Sequence, residues 1–179
     1  MIPADWPAIL ARIQARVANP LTCTDLRPGL PDPPLDLATL PDLEARLGFA
    51  VPPLLVDLYR TIGNGGFGPG YGLMSLRLTE KRGFGGNVFA VLNFLRDEET
   101  REDDPAPDWP LGVIPLVYWG CTAYSVLDCS TEDLPVYGWD CDGPDAESDW
   151  PIRKQFRPTG MGLAAWLDHW AKGETALTP

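Results

Sequence analysis

The chain has 179 residues, 45% of them hydrophobic, with 7 tryptophans. That size favours one domain, able to bury a core without a disulfide or metal staple, and the apolar content excludes wholesale disorder. The net charge of −11 disfavours nucleic acid and anionic membranes as partners, and no apolar run approaches the ~18 residues of a membrane-spanning helix.

The N-terminal stretch has no basic leader ahead of an apolar core, so no signal peptide is expected and the expected compartment is the cytoplasm. Apolar side chains at Ile9, Leu10, Ile13 and Val17 have helical spacing, which predicts a first helix from about Asp5 to Val17. Asp5 suits its N-cap and Pro7 its first turn. Five prolines then fall between Asn19 and Asp36, and a segment so rich in proline is expected to be extended. A second helix begins near Thr39, presents Leu40, Leu43 and Leu47, and stops at Gly48. Pro52 and Pro53 open a third through Leu54, Leu55, Leu58, Tyr59 and Ile62, ending at Gly63-Asn64-Gly65-Gly66.

After this turn the pattern becomes strand-like. GLMSLRL from Gly72 and NVFAVL from Asn87 read as strands, with KRGFGG as the hairpin turn between them. Residues 93–102 read as helix or loop. Three further strands are predicted from Val113, Ala123 and Pro135, close enough in sequence to form an antiparallel meander. A closing helix from about Gly162 to Ala171 carries Leu163, Trp166, Leu167 and Trp170 on one face. The expected fold class is α+β, an antiparallel or mixed sheet with helices packed on one side.

Several motifs suggest chemistry and lack its context. Gly63, Gly65 and Gly68 spell G-x-G-x-x-G, but a helix precedes them and a strand is predicted to follow, the reverse of a dinucleotide site. Asp140, Asp142 and Asp145 hint at a calcium loop, but Gly143 falls too early. Cys23, Cys121, Cys129 and Cys141 form no C-x-x-C pair, and His169 is the sole histidine. The cysteines therefore read as reduced, partly buried thiols, and His169 as a residue beside the apolar stripe of its helix. No cofactor, metal or catalytic residue is expected, so the chain reads as a binding protein, not an enzyme.

Charge supplies the positive signal. Between Asp97 and Asp149 lie 15 acidic residues and one basic residue, Arg101; the remainder, with 10 acidic and 13 basic residues, is slightly positive. Large aromatics interleave these acids: Trp109, Tyr118, Trp119, Tyr124, Tyr137, Trp139 and Trp150. Aromatic anchors ringed by one sign of charge suit a protein interface, although the same aromatics suit a core. The residues expected to meet a partner are Asp97, Glu98, Glu99, Asp103, Asp104, Trp139, Asp140, Asp142, Asp145, Glu147, Asp149 and Trp150.

The segment from Leu43 to Gly66 resembles the signature of the SUKH superfamily, which includes fungal cell-wall-assembly regulators and many bacterial proteins. The matching residues are Glu44, Leu47-Gly48, Pro52-Pro53, Leu58-Tyr59 and Asn64-Gly65-Gly66. Later pieces follow in order: Ile114-Pro115, Gly120, Leu127-Asp128, Pro135-Val136-Tyr137, Leu163 and Trp166-Leu167. The resemblance spans roughly 39–170. It implies a SUKH-like domain over 39–179, preceded by an N-terminal helix and proline-rich segment over 1–38. It also implies an immunity protein whose partner is a cognate toxin, many such toxins being nucleases or nucleic-acid deaminases. The alternative is a regulatory scaffold like the fungal relatives.

Overall fold

The computed structural model describes residues 2–19, 30–95, 109–140 and 152–174. Among these residues, five α-helices and a four-stranded antiparallel sheet give an α+β fold.

Helix α1 (Trp6–Val17) buries Trp6, Ile9 and Ile13. Asp5 precedes it without a side-chain cap; its carbonyl accepts instead from the amides of Ala8 and Ile9. The helix packs on α5 (Leu163–Ala171), whose buried face is the predicted Leu163, Trp166, Leu167 and Trp170. Each such side chain contributes roughly 1.5–3 kcal/mol on leaving water. Polar contacts fix the packing at its edges. Arg12 meets Asp168 at 2.6 Å, the Arg16 guanidinium lies 4.8 Å above the Trp170 ring, and the Trp6 indole donates to Asp57 at 2.8 Å. Thus α1 shares one hydrophobic core with the rest of the chain.

Residues 30–36 have no regular structure, as their prolines require, and they bury Leu35. Helix α2 (Leu40–Leu47) follows a short 3-10 turn and ends at Gly48, whose φ of 85° is the left-handed stop predicted there. Helix α3 (Pro53–Thr61) buries Leu54, Leu55, Leu58 and Tyr59.

The next stretch departs from expectation. Residues 72–78 form no ladder strand; only isolated bridges occur, Leu73 to Val117 and Ser75 to Asn87. Successive amides go to unrelated acceptors: Leu73 to Phe67, Met74 to Leu116 and Ser75 to Gly86. Because Leu73, Met74, Ser75 and Leu76 are all buried, the segment is an interior strap covered on every side. NVFAVL is not a strand but the start of helix α4 (Val88–Leu95). The Asn87 side chain accepts from the Ala90 amide at 3.0 Å, as an N-cap does. Val88, Phe89, Ala90, Val91, Leu92 and Leu95 are buried, the pattern of a helix enclosed all round. KRGFGG is therefore the connection from strap to helix, not a hairpin turn.

Strands β1 (Val113–Gly120), β2 (Ala123–Asp128) and β3 (Pro135–Asp140) form the predicted meander, and β4 (Arg157–Gly162) completes the order β1-β2-β3-β4. Tyr118, Tyr124 and Trp139 align across three strands and their rings touch, with Tyr118–Tyr124 at 5.2 Å and Tyr124–Trp139 at 5.5 Å. Residues Tyr124 to Asp128 are all buried, so β2 is covered on both faces. Helix α5 packs against β3 and β4, and α4 against β1.

Candidate partner-binding surface

The signature residues serve the interior. A Glu44 carboxylate oxygen accepts from the Val51 amide at 2.9 Å, closing the α2–α3 corner. The Asn64 side chain, 4% exposed, pairs with both backbone groups of Leu76, accepting from its amide at 2.8 Å and donating to its carbonyl at 2.9 Å. The Tyr59 hydroxyl donates to the Met74 carbonyl at 2.6 Å, and burial raises its pKa far above the ordinary range. Gly65 has φ of 90°, and a Cβ there would meet the Leu73 carbonyl oxygen at 2.7 Å. Gly65 and Gly68 of the G-x-G-x-x-G match thus let the strap pass close by, Gly63 lies against Pro31 and Asp32, and an extended segment, not a helix, follows them.

Most of the residues expected to meet a partner, namely Asp97, Glu98, Glu99, Asp103, Asp104, Asp142, Asp145, Glu147, Asp149 and Trp150, lie outside the described residues. Trp139 is only 3% exposed; it sits edge-on to Trp109 at 5.0 Å, and its indole donates to Gln155 at 3.2 Å. Its direct role is packing. Trp109 and Tyr124 are likewise buried, whereas Tyr118, Trp119 and Tyr137 are half-buried.

Asp140 is half-buried at the end of β3 and accepts from the Thr122 hydroxyl at 2.6 Å. The same end of the sheet carries exposed Cys121 and Tyr71, the latter 41% exposed and stacked on Tyr118 at 5.7 Å. Tyr71 was not among the expected residues; its one sequence signal is a large aromatic between Gly70 and Gly72, inside a turn where no core was predicted.

The other described acids of the 97–149 stretch divide in two. Asp128 is structural: burial pushes its carboxyl up, but hydrogen bonds from the Ser130 hydroxyl, from Arg153 and from the Ser130 amide outweigh this and hold it below the usual carboxylate range. The neighbouring Cys129 thiol is pushed up by burial and by the Asp128 charge, so it stays protonated. Glu132 and Asp133, by contrast, are exposed. His169 is half-buried near the end of α5, with Nδ1 at 2.6 Å from Glu174. Among the described residues no cluster of His, Cys, Asp and Glu could hold a metal ion, and no helix is long and apolar enough to cross a membrane.

An α+β fold whose signature helix pair is tied to a strap by an asparagine is consistent with a SUKH-type domain. The chain belongs to the SMI1 / KNR4 family (SUKH-1), which it matches over residues 34–154. SUKH domains are known generally as toxin-immunity domains, typically without enzymatic activity, that bind a toxin partner. No curated protein and no solved structure matches the chain.

Proposed function

We propose that this chain is an immunity protein. It binds a cognate toxin that acts on nucleic acid, delivered by a contact-dependent or other secretion-based system, and neutralises it in the cytoplasm by covering it with an acidic face. The carrying observation is that the whole negative excess lies within 97–149, in a chain of a family known for toxin immunity.

The physical argument concerns complementarity. A toxin that acts on nucleic acid needs a basic substrate groove. An acidic surface steers association with such a groove and then occupies it. Inhibition by occupancy needs no reacting group, only complementary charge and shape.

Co-expression with the toxin encoded by the adjoining gene tests the proposal. The expected result is rescue of growth; loss of viability equal to that caused by the toxin alone would overturn it. Reversing Asp140, Asp142 and Asp145 to Lys is expected to lower the on-rate at low salt by about tenfold. An unchanged on-rate would make the acidic stretch a solvated face only.

A further inference from the structure

A groove of 880 Å³ lies between the turn ahead of β3, strand β4 and the start of α5, and Ile2 and Pro3 also line it. Its wall is apolar along Leu134, Tyr137, Pro158 and Met161. Among the described residues its charged lining is Glu132 and Asp133, both exposed, with no basic residue. Among the described residues neither carboxylate forms an ion pair.

The turn that carries the two acids is held in place. Leu134 adopts φ of 48°, unusual for a residue with a side chain. Its amide donates to Thr131, and its carbonyl accepts from the Leu163 amide at 2.9 Å, at the start of α5. Gly162 passes so close to the Asp133 carbonyl oxygen that a Cβ would collide with it. The backbone that carries the rim charges is therefore held in place above an apolar wall, which lowers the ordering cost of recognition there.

Strand β4 is the sheet edge beside this groove, but it offers a poor template for strand addition. A register shift interrupts its pairing with β3, Pro158 has no amide hydrogen, and Gly160 has φ of 75°. Recognition here passes through side chains.

We propose that this groove docks an extended, basic segment of a protein partner, which seats an apolar side chain against Tyr137 and Met161 and sets Lys or Arg against Glu132 and Asp133. The proposal rests on the reading that the chain acts by binding a protein, and it adds Glu132 and Asp133, which are not among the twelve residues expected to meet a partner.

The test uses the full-length chain as bait for random dodecapeptides displayed on phage. The selection is repeated with Glu132→Lys/Asp133→Lys and, separately, with Ala165→Arg, which fills the groove from an exposed helix position. Peptides combining Lys or Arg with a large apolar residue are expected to be enriched, and to lose about tenfold in affinity for each variant. Failure to enrich any such peptide, or peptides bound equally by both variants, would overturn the groove. A failed selection beside successful rescue removes the groove and leaves the immunity reading. A successful selection beside failed rescue does the reverse.

Discussion

The strap region, from Glu44 to Leu76, and the groove rim at Glu132 and Asp133 treat polar groups in opposite ways. In the first, Glu44, Tyr59 and Asn64 spend their polar atoms on the backbone, inside the molecule. In the second, two carboxylates stand exposed over an apolar wall with no ion pair among the described residues. The comparison teaches that the family signature specifies a fold. The partner contacts proposed above lie on surface residues outside it.

The strap side breaks most easily. Asn64→Leu leaves the buried amide and carbonyl of Leu76 without their partners and is expected to cost about 2–4 kcal/mol. Urea denaturation should show this as a lower midpoint, while the folded fraction keeps its partner affinity. Tyr59→Phe removes one buried hydrogen bond and is expected to cost about 1 kcal/mol, read in the same way.

Asp168 gives a smaller effect with a pH signature. Burial pushes its carboxyl up, but Arg12 and Lys172 outweigh this and lower its pKa in the folded state. Its contribution is therefore fully present above the unfolded value of about 3.9 and is lost as pH falls through the lower folded value. Asp168→Asn is expected to cost about 1 kcal/mol at neutral pH and to narrow the gap from wild type on the acid side, measured by urea denaturation from neutral to acid pH. At the far end, Glu132→Lys/Asp133→Lys is expected to leave stability within about 0.5 kcal/mol of wild type, since both side chains are exposed. A large drop in Tm would show that the rim is structural and would collapse the contrast.

Much of the fold was legible in residue spacing. Helices α1, α2, α3 and α5 carry apolar side chains at helical spacing, and strands β1 to β3 are short runs rich in apolar, β-branched and aromatic residues set close together. Helix α4 was not legible as a helix, because Val88-Phe89-Ala90-Val91-Leu92 is rich in β-branched and aromatic residues and apolar on every side, so periodicity is silent. Asn87 was the available clue, since its side chain caps the helix. Strand β4 carries Pro158, Gly160 and Gly162 in six residues, a composition that opposes strand assignment; its register shift and edge position accommodate them. The site was less legible than the fold. A run of acids shows where charge is concentrated but not which carboxylates fold inward, so Asp128, tied to Arg153, and Glu132, exposed, look alike in sequence. Trp139 shows the same ambiguity for aromatics: a large ring beside acids suits an interface and a core equally, and its neighbours Trp109 and Tyr124 enclose it.

The central claim, that the acidic exterior binds while the signature interior only folds, is tested most directly by the association rate between this chain and the toxin encoded by the adjoining gene, measured against salt concentration. The predicted result is fast association that slows steeply as salt rises, with the slope flattened by reversing Asp140, Asp142 and Asp145 and preserved in Tyr59→Phe. An association rate indifferent to salt, or equally impaired by the strap and acidic variants when both are folded, would contradict it.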